Sequence, residues 1–467
     1  MRTAGFLLPT LFLVPMCATA TIWQVGPGQT YTMPSQVTGL VNDGDTVDIE
    51  AGTYPSDVAP WTADNLLLRG VGGFARMESN GFAWADKAIW VISGNNTTVE
   101  WIEFSECSVP DQNGAGIRQE GANLTVRNCW FHHNENGILA NEVHPSTIRI
   151  EHTEFGYNGY GDGQSHNLYI NNVDTLIYRY NYSHHAHVGH ELKSRAWVNI
   201  IEYSRFSNEA DGDASRELDL PNGGRAFVIG NIIQQGPLGQ NSNLVGYGLE
   251  VLTNPGAHQL YAINNTLVNE KNTGTFFHTP SGVLLKAYNN IMAGGGTFMN
   301  AWPLGVDTLG NLYNIPIASL LFADAALYDY HIDAASPARY IGYPAGMAGT
   351  YPLVAWDEYV HPVSSVVRCQ HATLCAGAYE FCPTSVVEQG ADELRIRPNP
   401  AGDLVFVDLP VGTQQLELLD ACGRLLRAWS TNGGATLRID LSDFSHGPLL
   451  LRVQGERSVS VHTLVKE

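Results

Sequence analysis

The feature that most restricts the fold is a short block that recurs through the middle of the chain. The blocks are VEWIEF, VRNCWF, IEHTEF, IYRYNY, IEYSRF, VIGNII, INNTLV and AYNNIM, and they end at Phe104, Phe131, Phe155, Tyr182, Phe206, Ile233, Val268 and Met292. Successive block ends lie 24 or 27 residues apart, with one interval of 35. Each block alternates apolar and polar residues, which is typical of a strand with one buried face.

A period of this length, with several short strands per repeat and no helical pattern, predicts a parallel β-helix. In that fold each coil stacks about 4.8 Å above the last. The blades of a β-propeller need roughly 40 residues or more, and the Leu spacing of leucine-rich repeats is absent. Asn recurs within the blocks, and we expect a buried ladder of amide hydrogen bonds formed by Asn128, Asn231, Asn265 and Asn290.

The N-terminus has the features of an export signal. Arg2 is the only charged residue among the first twenty, Gly5 to Met16 is largely apolar, and Ala18-Thr19-Ala20 is a small-x-small cleavage site. This combination predicts a signal peptide over residues 1–20.

The composition restricts the partners. The chain has 25 Lys and Arg against 46 Asp and Glu, a formal net charge of -21. Because such an acidic surface repels phosphate backbones, we expect no nucleic-acid partner. After the N-terminal segment no apolar run reaches the roughly 18 residues that a membrane helix needs, so we expect no transmembrane segment.

Two further segments carry a family resemblance. NDGDTVDIEAGTY and NLLLRGVGG, between Gly26 and Gly73, resemble the first coils of right-handed parallel β-helix proteins of the pectate-lyase-like superfamily. YHIDAASPARYIGY, followed by GAYEF, resembles their closing coils. The resemblance implies an all-β, right-handed parallel β-helix over residues 21–382. This fold hosts lyases, hydrolases, epimerases and non-catalytic adhesins, so it does not fix the activity.

The chain changes character near its C-terminus. Residues 383–393 are predicted to be a linker. Residues 394–467 contain short alternating strands between Pro, Gly and Asn turns, which predicts a small β-sandwich. Three motifs stand out, namely PNP at 398–400, DxxGR at 420–424 and IDLSDFSHG ending at Gly447. With these motifs the segment resembles the C-terminal sorting domain of type IX secretion substrates. The resemblance implies the type IX secretion machinery as a partner and a secreted or cell-surface location. An ordinary immunoglobulin-like accessory domain is the alternative.

One face of the β-helix gathers most of the ionisable side chains. We align successive coils on inward-facing leucines, namely Leu168, Leu192, Leu218 and Leu249. The residues on either side of each leucine then face outward. These pairs are Asn167/Tyr169, Glu191/Lys193, Glu217/Asp219 and Gly248/Glu250. The alignment places Lys193 one rung from Tyr169 and one rung from Asp219. Other ionisable residues precede or flank this face, namely His184, His185, His187, His190, Arg195, Arg216 and Arg225.

This face suits β-elimination of an acidic, uronate-containing polysaccharide. The reaction needs a base for the proton next to the carboxylate and a cation that neutralises the carboxylate. Lys193 is the predicted base, and Tyr169 or His190 would protonate the leaving oxygen. The neutralising groups are predicted to be Arg195, Arg216 or a Ca²⁺ held by Glu217, Asp219 and Glu250. The predicted substrate contacts are Arg195, Asn222, Arg225 and Glu191.

A second resemblance concerns the base itself. The stretch LKSRAWVNIIEYSRF, beginning at Leu192, resembles the Lys-Ser stretch of β-helix alginate and chondroitin lyases. In those lyases the Lys is the base, so the resemblance implies that role for Lys193.

Other functions remain open at the level of sequence. Glycoside hydrolysis needs two carboxyl groups roughly 5 to 9.5 Å apart, for which Asp219 with Glu250 or with Glu191 are candidates. The alternative to an enzyme is a β-helix that binds glycans or serves as a structural or adhesive surface module, because stacked charges also form ion-pair ladders. Trp101 and Trp130 alternate with inward residues, so either can face outward and stack on a sugar ring.

Overall fold

A computed structural model describes residues 20–300, 305–371, 373–382, 394–409, 412–420, 424–431, 436–455 and 459–466. The chain divides into two compact units, one up to Phe381 and one from Cys382 onward. The predicted linker and the predicted signal peptide up to residue 19 lie outside the described residues. In the described part, no helix is long and apolar enough to cross a membrane.

The first unit is a right-handed parallel β-helix, which confirms the predicted fold class. Each coil contributes strands to three parallel sheets. Sheet 1 consists of Ala59–Trp61, Ala88–Ile92, Ala115–Gln119, Asn136–Ala140, Leu168–Ile170, His190–Ser194, Arg216–Leu220, Asn243–Tyr247, Thr275–His278 and Thr297–Met299. Sheet 2 consists of Ile22–Val25, Thr97–Glu100, Leu124–Arg127, Thr147–Glu151, Thr175–Arg179, Val198–Glu202, Arg225–Ile229, Gln259–Ile263, Leu284–Tyr288 and Gly305–Leu309. Sheet 3 consists of Ile102–Ser105, Trp130–His132, Glu154–Gly156, Tyr182–His184, Arg205–Ser207, Ile232–Gln235, Thr266–Asn269, Ile291–Gly294 and Leu312–Ile315.

Two long strands near the N-terminus, Thr46–Pro55 and Leu67–Glu78, run through both sheet 2 and sheet 3. A short 3₁₀ helix, Pro34–Val37, lies between the first strand and these two. In the later coils a sharp corner at the same place divides the chain into two separate strands, one in sheet 2 and one in sheet 3.

The repeated blocks lie on that corner. Each block was expected to be one strand, but it contains the end of a sheet 2 strand and the start of a sheet 3 strand. Trp101, for example, separates Thr97–Glu100 from Ile102–Ser105 with a left-handed φ of 57°. Phenylalanines at the equivalent inward position stack between coils, with ring centroids 4.8 Å apart for Phe104 and Phe131.

The register corrects two of the predicted block ends. Phe155 pairs with Ser183 rather than with Tyr182, and Ile233 pairs with Leu267 rather than with Val268.

A ladder of amide hydrogen bonds follows the corner, as predicted, but with one member changed. The Oδ1 atom of Asn265 accepts from the backbone N and from Nδ2 of Asn231, at 3.0 and 3.1 Å. Asn265 bonds Asn290 in the same way, at 2.9 Å for both contacts. Asn128 is not in the ladder, because it is itself the left-handed corner residue of its coil, and Cys129 after it occupies the ladder position.

The segment that resembles closing coils does not form coils. Residues 316–381, the return segment, contain two 3₁₀ helices, Ile317–Leu320 and Ala325–Leu327. Antiparallel pairs of short strands make up the rest, namely Phe322–Asp324 with Asp329–Ile332, Met347–Ala348 with Tyr351–Pro352, and Asp357–Val360 with Ser364–Val367.

The return segment packs on the outside of sheets 2 and 3. Leu320 and Tyr330 share a core with Ile291 of sheet 3, and Leu353 shares a core with Phe227 of sheet 2. The prediction of closing coils is therefore wrong, because these apolar residues cover outer faces rather than fill the interior.

Among its described residues, the second unit contains two antiparallel sheets. One consists of Arg395–Arg397, Leu404–Asp408 and Thr436–Asp440, and the other of Leu425–Ser430, Thr413–Asp420, Gly447–Gly455 and Val459–Lys466. Val405 and Ile439 from the first sheet share a buried core with Leu418 and Leu451 from the second. This arrangement is the predicted small β-sandwich.

The amide ladder makes a testable contribution to stability. We expect Asn265→Ala to lower the free energy of unfolding by at least about 2 kcal/mol, because it leaves buried donors of Asn231 without acceptors. Urea unfolding followed by circular dichroism measures the change. The exposed Asn113→Ala is the matched control and should leave the unfolding midpoint unchanged. Equal midpoints for both variants would contradict a stabilising ladder.

Candidate functional site

The predicted polar face is the outer surface of sheet 1. In the parallel register, Tyr169 pairs with Lys193, Leu192 pairs with Leu218, and Lys193 pairs with Asp219. Leu192 and Leu218 are fully buried in the core. The predicted neighbours of Lys193 on both adjacent rungs are therefore confirmed.

The next rung differs from the prediction. Leu218 pairs with Val245 rather than with Leu249, so Gly246 lies beside Asp219. Glu250 lies in the long turn that follows the strand Asn243–Tyr247. A Cβ at Gly246 would lie 2.9 Å from Oδ1 of Asp219 and 3.0 Å from Cζ of Arg216. Because Gly246 has no side chain, Asp219 and Arg216 can occupy this space without a clash.

Glu250 nevertheless reaches the centre of the face from its turn. Its Oε1 lies 2.9 Å from Nζ of Lys193, and its Oε2 lies 2.7 Å from Nη1 of Arg195. Although partial burial raises the pKa of Glu250, the hydrogen bonds from Arg195 and Lys193 lower that pKa to about 2. The two cations thus form a cradle that holds a carboxylate, and we call Lys193 and Arg195 the carboxylate cradle.

Arg195 is fixed from several sides. Its Nε donates to the Tyr169 hydroxyl at 2.9 Å, and its Nη1 donates to Oδ1 of Asn222 at 2.5 Å. Asn222 in turn donates to Thr253 Oγ1 at 2.6 Å. The predicted residues Tyr169, Arg195 and Asn222 therefore come together beside Lys193.

Arg216 and Asp219 form a second ion pair next to the cradle. Nη1 of Arg216 lies 2.6 Å from Oδ1 of Asp219, and Nζ of Lys193 lies 3.8 Å from Oδ2 of Asp219. Burial raises the pKa of Asp219, and the charges of Arg216 and Lys193 oppose that shift. The Lys193 ammonium therefore stands between two carboxylates, those of Asp219 and Glu250.

His190 is present in the site as a neutral ring. Burial, together with the charges of Arg216 and Lys193, lowers the pKa of His190 to about 3. Its Nε2 lies 3.5 Å from Oδ2 of Asp219, and its Nδ1 lies 2.7 Å from Oγ of Ser215. Sequence reasoning missed His166, whose ring stacks on His190 with centroids 4.8 Å apart. Its place in the preceding coil, 24 residues before His190, was the signal that could have found it.

Two of the predicted site residues do not face outward. Glu191 and Glu217 are fully buried. They lie at the start of their strands, where the chain leaves a turn and two successive residues point inward. Glu191 accepts from Nδ2 of Asn167 at 2.6 Å and from Ser183 Oγ at 2.9 Å. A surface contact from Glu191 to substrate, or from Glu217 to a metal ion, is incompatible with this position.

The remaining predicted residues separate onto other elements. Arg225 begins a strand of sheet 2, so it does not flank the face that carries Lys193. His184 lies in sheet 3, whereas His187 is exposed in the turn before sheet 1.

The predicted calcium ligands do not form one donor set. Glu217 is buried inside the coil, and the ammonium of Lys193 stands between Asp219 and Glu250. The residues present therefore do not fit the predicted Ca²⁺ site.

Comparison with known proteins gives a different result for each of the two units. Residues 395–467 match the family described as the secretion system C-terminal sorting domain. The C-terminal unit is a type IX secretion sorting domain. The protein is therefore a type IX secretion substrate, exported to the cell surface or the extracellular space.

The β-helix is similar in fold to a solved polysaccharide lyase. The crystal structure of pectate lyase Pel9A superposes with a TM-score of 0.55 at 14% sequence identity, covering 78% of this chain and 97% of that chain. At this identity the likeness concerns the fold alone. No curated protein matches the chain.

The buried acid beneath the site predicts a pH dependence of stability. Burial raises the pKa of Glu191 from 4.5 to about 8. Between these values the folded protein retains a proton that the unfolded chain releases, so stability falls as the pH rises from about 4.5 to about 8. Glu191→Gln removes this contribution, because the amide has no proton to lose.

Unfolding midpoints of wild type and Glu191→Gln, measured across that pH range, test the prediction. We expect the advantage of the variant over wild type to grow with pH. The exposed Glu142→Gln is the control and should follow wild type. Parallel profiles for wild type and Glu191→Gln would contradict a raised pKa at Glu191.

Proposed function

We propose that the protein cleaves an acidic, uronate-containing polysaccharide by β-elimination at the outer face of sheet 1. The observation that carries the proposal is the position of Glu250, whose carboxylate is bound between Lys193 and Arg195. A site that holds one of its own carboxylates between two cations has the charge and geometry to hold the carboxylate of a uronate residue.

Each residue of the site has a role in this proposal. An incoming uronate carboxylate replaces Glu250 and pairs with Arg195, whose guanidinium is held in place by Tyr169 and Asn222. Pairing with a cation makes the adjacent C–H bond more acidic. Lys193, freed from Glu250, releases its own proton to solvent and then takes the proton of that C–H bond as a neutral amine. The Tyr169 hydroxyl, one rung away, is placed to protonate the leaving oxygen, and Arg216 fixes Asp219 beside Lys193.

The same geometry disfavours glycoside hydrolysis. That reaction needs two carboxyl groups on opposite sides of an open space for the scissile bond. Glu191 is buried inside the coil, which removes one of the two predicted pairs. In the other pair the Lys193 ammonium stands between Asp219 and Glu250.

A non-catalytic role is the second candidate. The carboxylate cradle would hold a uronate chain whether or not Lys193 removes a proton. A protein that binds uronate polymers without forming an unsaturated product would be a glycan-binding surface module.

The role of Lys193 is directly testable. We expect wild type to form unsaturated product from at least one of polygalacturonate, alginate and glycosaminoglycans, followed by absorbance near about 235 nm. Lys193→Ala should lower kcat/KM by about 100-fold or more. Lys286→Ala, which removes a half-buried lysine paired with Asp307 on sheet 2, is the matched control. Wild type without product on every uronate polymer would exclude the lyase, and full activity of Lys193→Ala would exclude Lys193 as the base.

The competition between Glu250 and substrate is a second test. Glu250→Gln should lower KM by roughly two- to fivefold, because it removes an ion pair of ordinary surface strength. Arg195→Ala should raise KM by roughly tenfold, because it removes a charged hydrogen bond to the substrate. Steady-state kinetics on the active polymer separates the two effects, with Glu142→Gln as the control. A raised KM for Glu250→Gln would show that Glu250 binds substrate rather than competes with it.

A further inference from the structure

The corner between sheets 2 and 3 carries one left-handed residue in each of several coils. In successive coils these residues are Trp101, Asn128, His152, Tyr180 and Tyr203. Bulky residues rarely adopt this backbone conformation, and such strain tends to be kept at sites of function. The side chains of this corner row lie on the side of the β-helix away from the interior.

The return segment already uses part of the corner row as a binding surface. The backbone N of Trp356 donates to the Tyr203 hydroxyl at 3.0 Å, and the Tyr180 hydroxyl donates to Asp357 at 2.8 Å. Nδ1 of His152 lies 2.8 Å from the carbonyl oxygen of Val363. The first strand of the hairpin and its turn therefore follow the row from Tyr203 to His152, in contact with one aromatic side chain per coil.

Beyond His152 the row continues without this cover. The next two positions are Asn128 and Trp101, beside a cavity of about 230 Å³. Trp101 is 44% exposed, and its ring centroid lies 5.7 Å from that of Phe74. We call this cavity the Trp101 groove; Phe74, Trp101, Asn128 and Trp130 line it, and Pro362 and Val363 of the return segment close one end.

Two polar groups lie at the Trp101 groove, one of them already paired, since Oε1 of Glu154 lies 3.2 Å from Nε2 of His184. Nε1 of Trp130 is buried and has no hydrogen-bond partner among the described residues. Glu154 lies one rung from Trp130 in sheet 3 and also lines the groove. The groove thus combines apolar ring faces with an anionic acceptor, and one of its lining residues has a buried N–H donor without a partner among the described residues.

We propose that the Trp101 groove binds a neutral β-linked glycan chain. The exposed indole face of Trp101 and the ring of Phe74 suit the flat C–H face of a pyranose, while the polar groups suit its hydroxyls. The Glu154 carboxylate repels a uronate, so the ligand is a neutral sugar. An extended polymer in the groove would follow the corner row onward from the point where the return segment leaves it. Chains with equatorial substituents, such as β-1,4-linked glucose or xylose, have the flat faces that such a site requires.

This site is separate from the proposed lyase site, which lies on sheet 1 and binds an anionic sugar. One protein would then hold a neutral glycan at one side and act on an acidic glycan at another. The proposal does not depend on activity at Lys193.

Binding of cellohexaose and xylohexaose to the full chain, followed by calorimetry and by tryptophan fluorescence, tests the proposal. We expect wild type to bind at least one of them. Trp101→Ala should raise Kd about tenfold or more, as loss of a central aromatic contact does, and Trp101→Phe should retain most of the affinity. Circular dichroism checks that the variants are folded.

Two variants serve as controls. Trp84→Ala removes a tryptophan of similar exposure, 43%, from outside the groove, and should bind as wild type does. Lys193→Ala should also bind normally, which distinguishes this site from the lyase site. The proposal is overturned if wild type binds neither oligosaccharide, if Trp101→Ala binds as tightly as wild type, or if only uronate oligosaccharides bind in a Trp101-dependent way.

Discussion

The whole β-helix depends on one interaction, the parallel hydrogen bonding of each coil to the next in constant register. This pairing fixes the spacing between equivalent residues at about 4.8 Å, so that side chains must stack on others from the same position. Rings stack on rings in the interior, as Phe104 does on Phe131. Amides stack on amides at the corner, and Lys193 stands between Tyr169 and Asp219 on the outer face.

The pairing also explains which parts of the structure are predictable from sequence. The alignment on the leucines placed Tyr169, Lys193 and Asp219 correctly on the outer face, because these residues lie within regular strands. The residues before the leucines, Asn167, Glu191 and Glu217, are buried instead. The alignment failed at Leu249, because the interval of 35 residues contains a longer turn and no signal in the alternation shows where the strand ends.

Other errors have the same origin in the turns. Alternation between inward and outward faces holds only within a strand, and the chain enters the strands of Glu191 and Glu217 from turns that bury two successive residues. Asn128 occupies the left-handed corner position, one residue before the ladder position, and the sequence alone does not distinguish the two. The return segment has the apolar content of coils, and composition alone does not tell a filled interior from a covered outer surface.

The site itself depends on charge balance in a protein of strong net negative charge. Lys193, Arg195 and Arg216 share two carboxylates, those of Glu250 and Asp219. In the proposed function, a uronate therefore reaches Lys193 and Arg195 by taking the place of Glu250. Glu250 lies in a turn, and its side chain is 45% exposed. Of the two carboxylates, it is therefore the one that moves away from the cations at the smaller free-energy cost. Asp219 is held by Arg216 and is 3% exposed, so it stays.

The return segment has a mechanical consequence. Solenoids unravel from their ends, since a terminal coil has a neighbour on one side alone. Here residues 316–381 run back across several coils and bond to the corner as far as His152. The last coils therefore cannot unfold one by one unless the return segment first detaches. Unfolding at this end of the β-helix is thus coupled to the stability of coils in its middle.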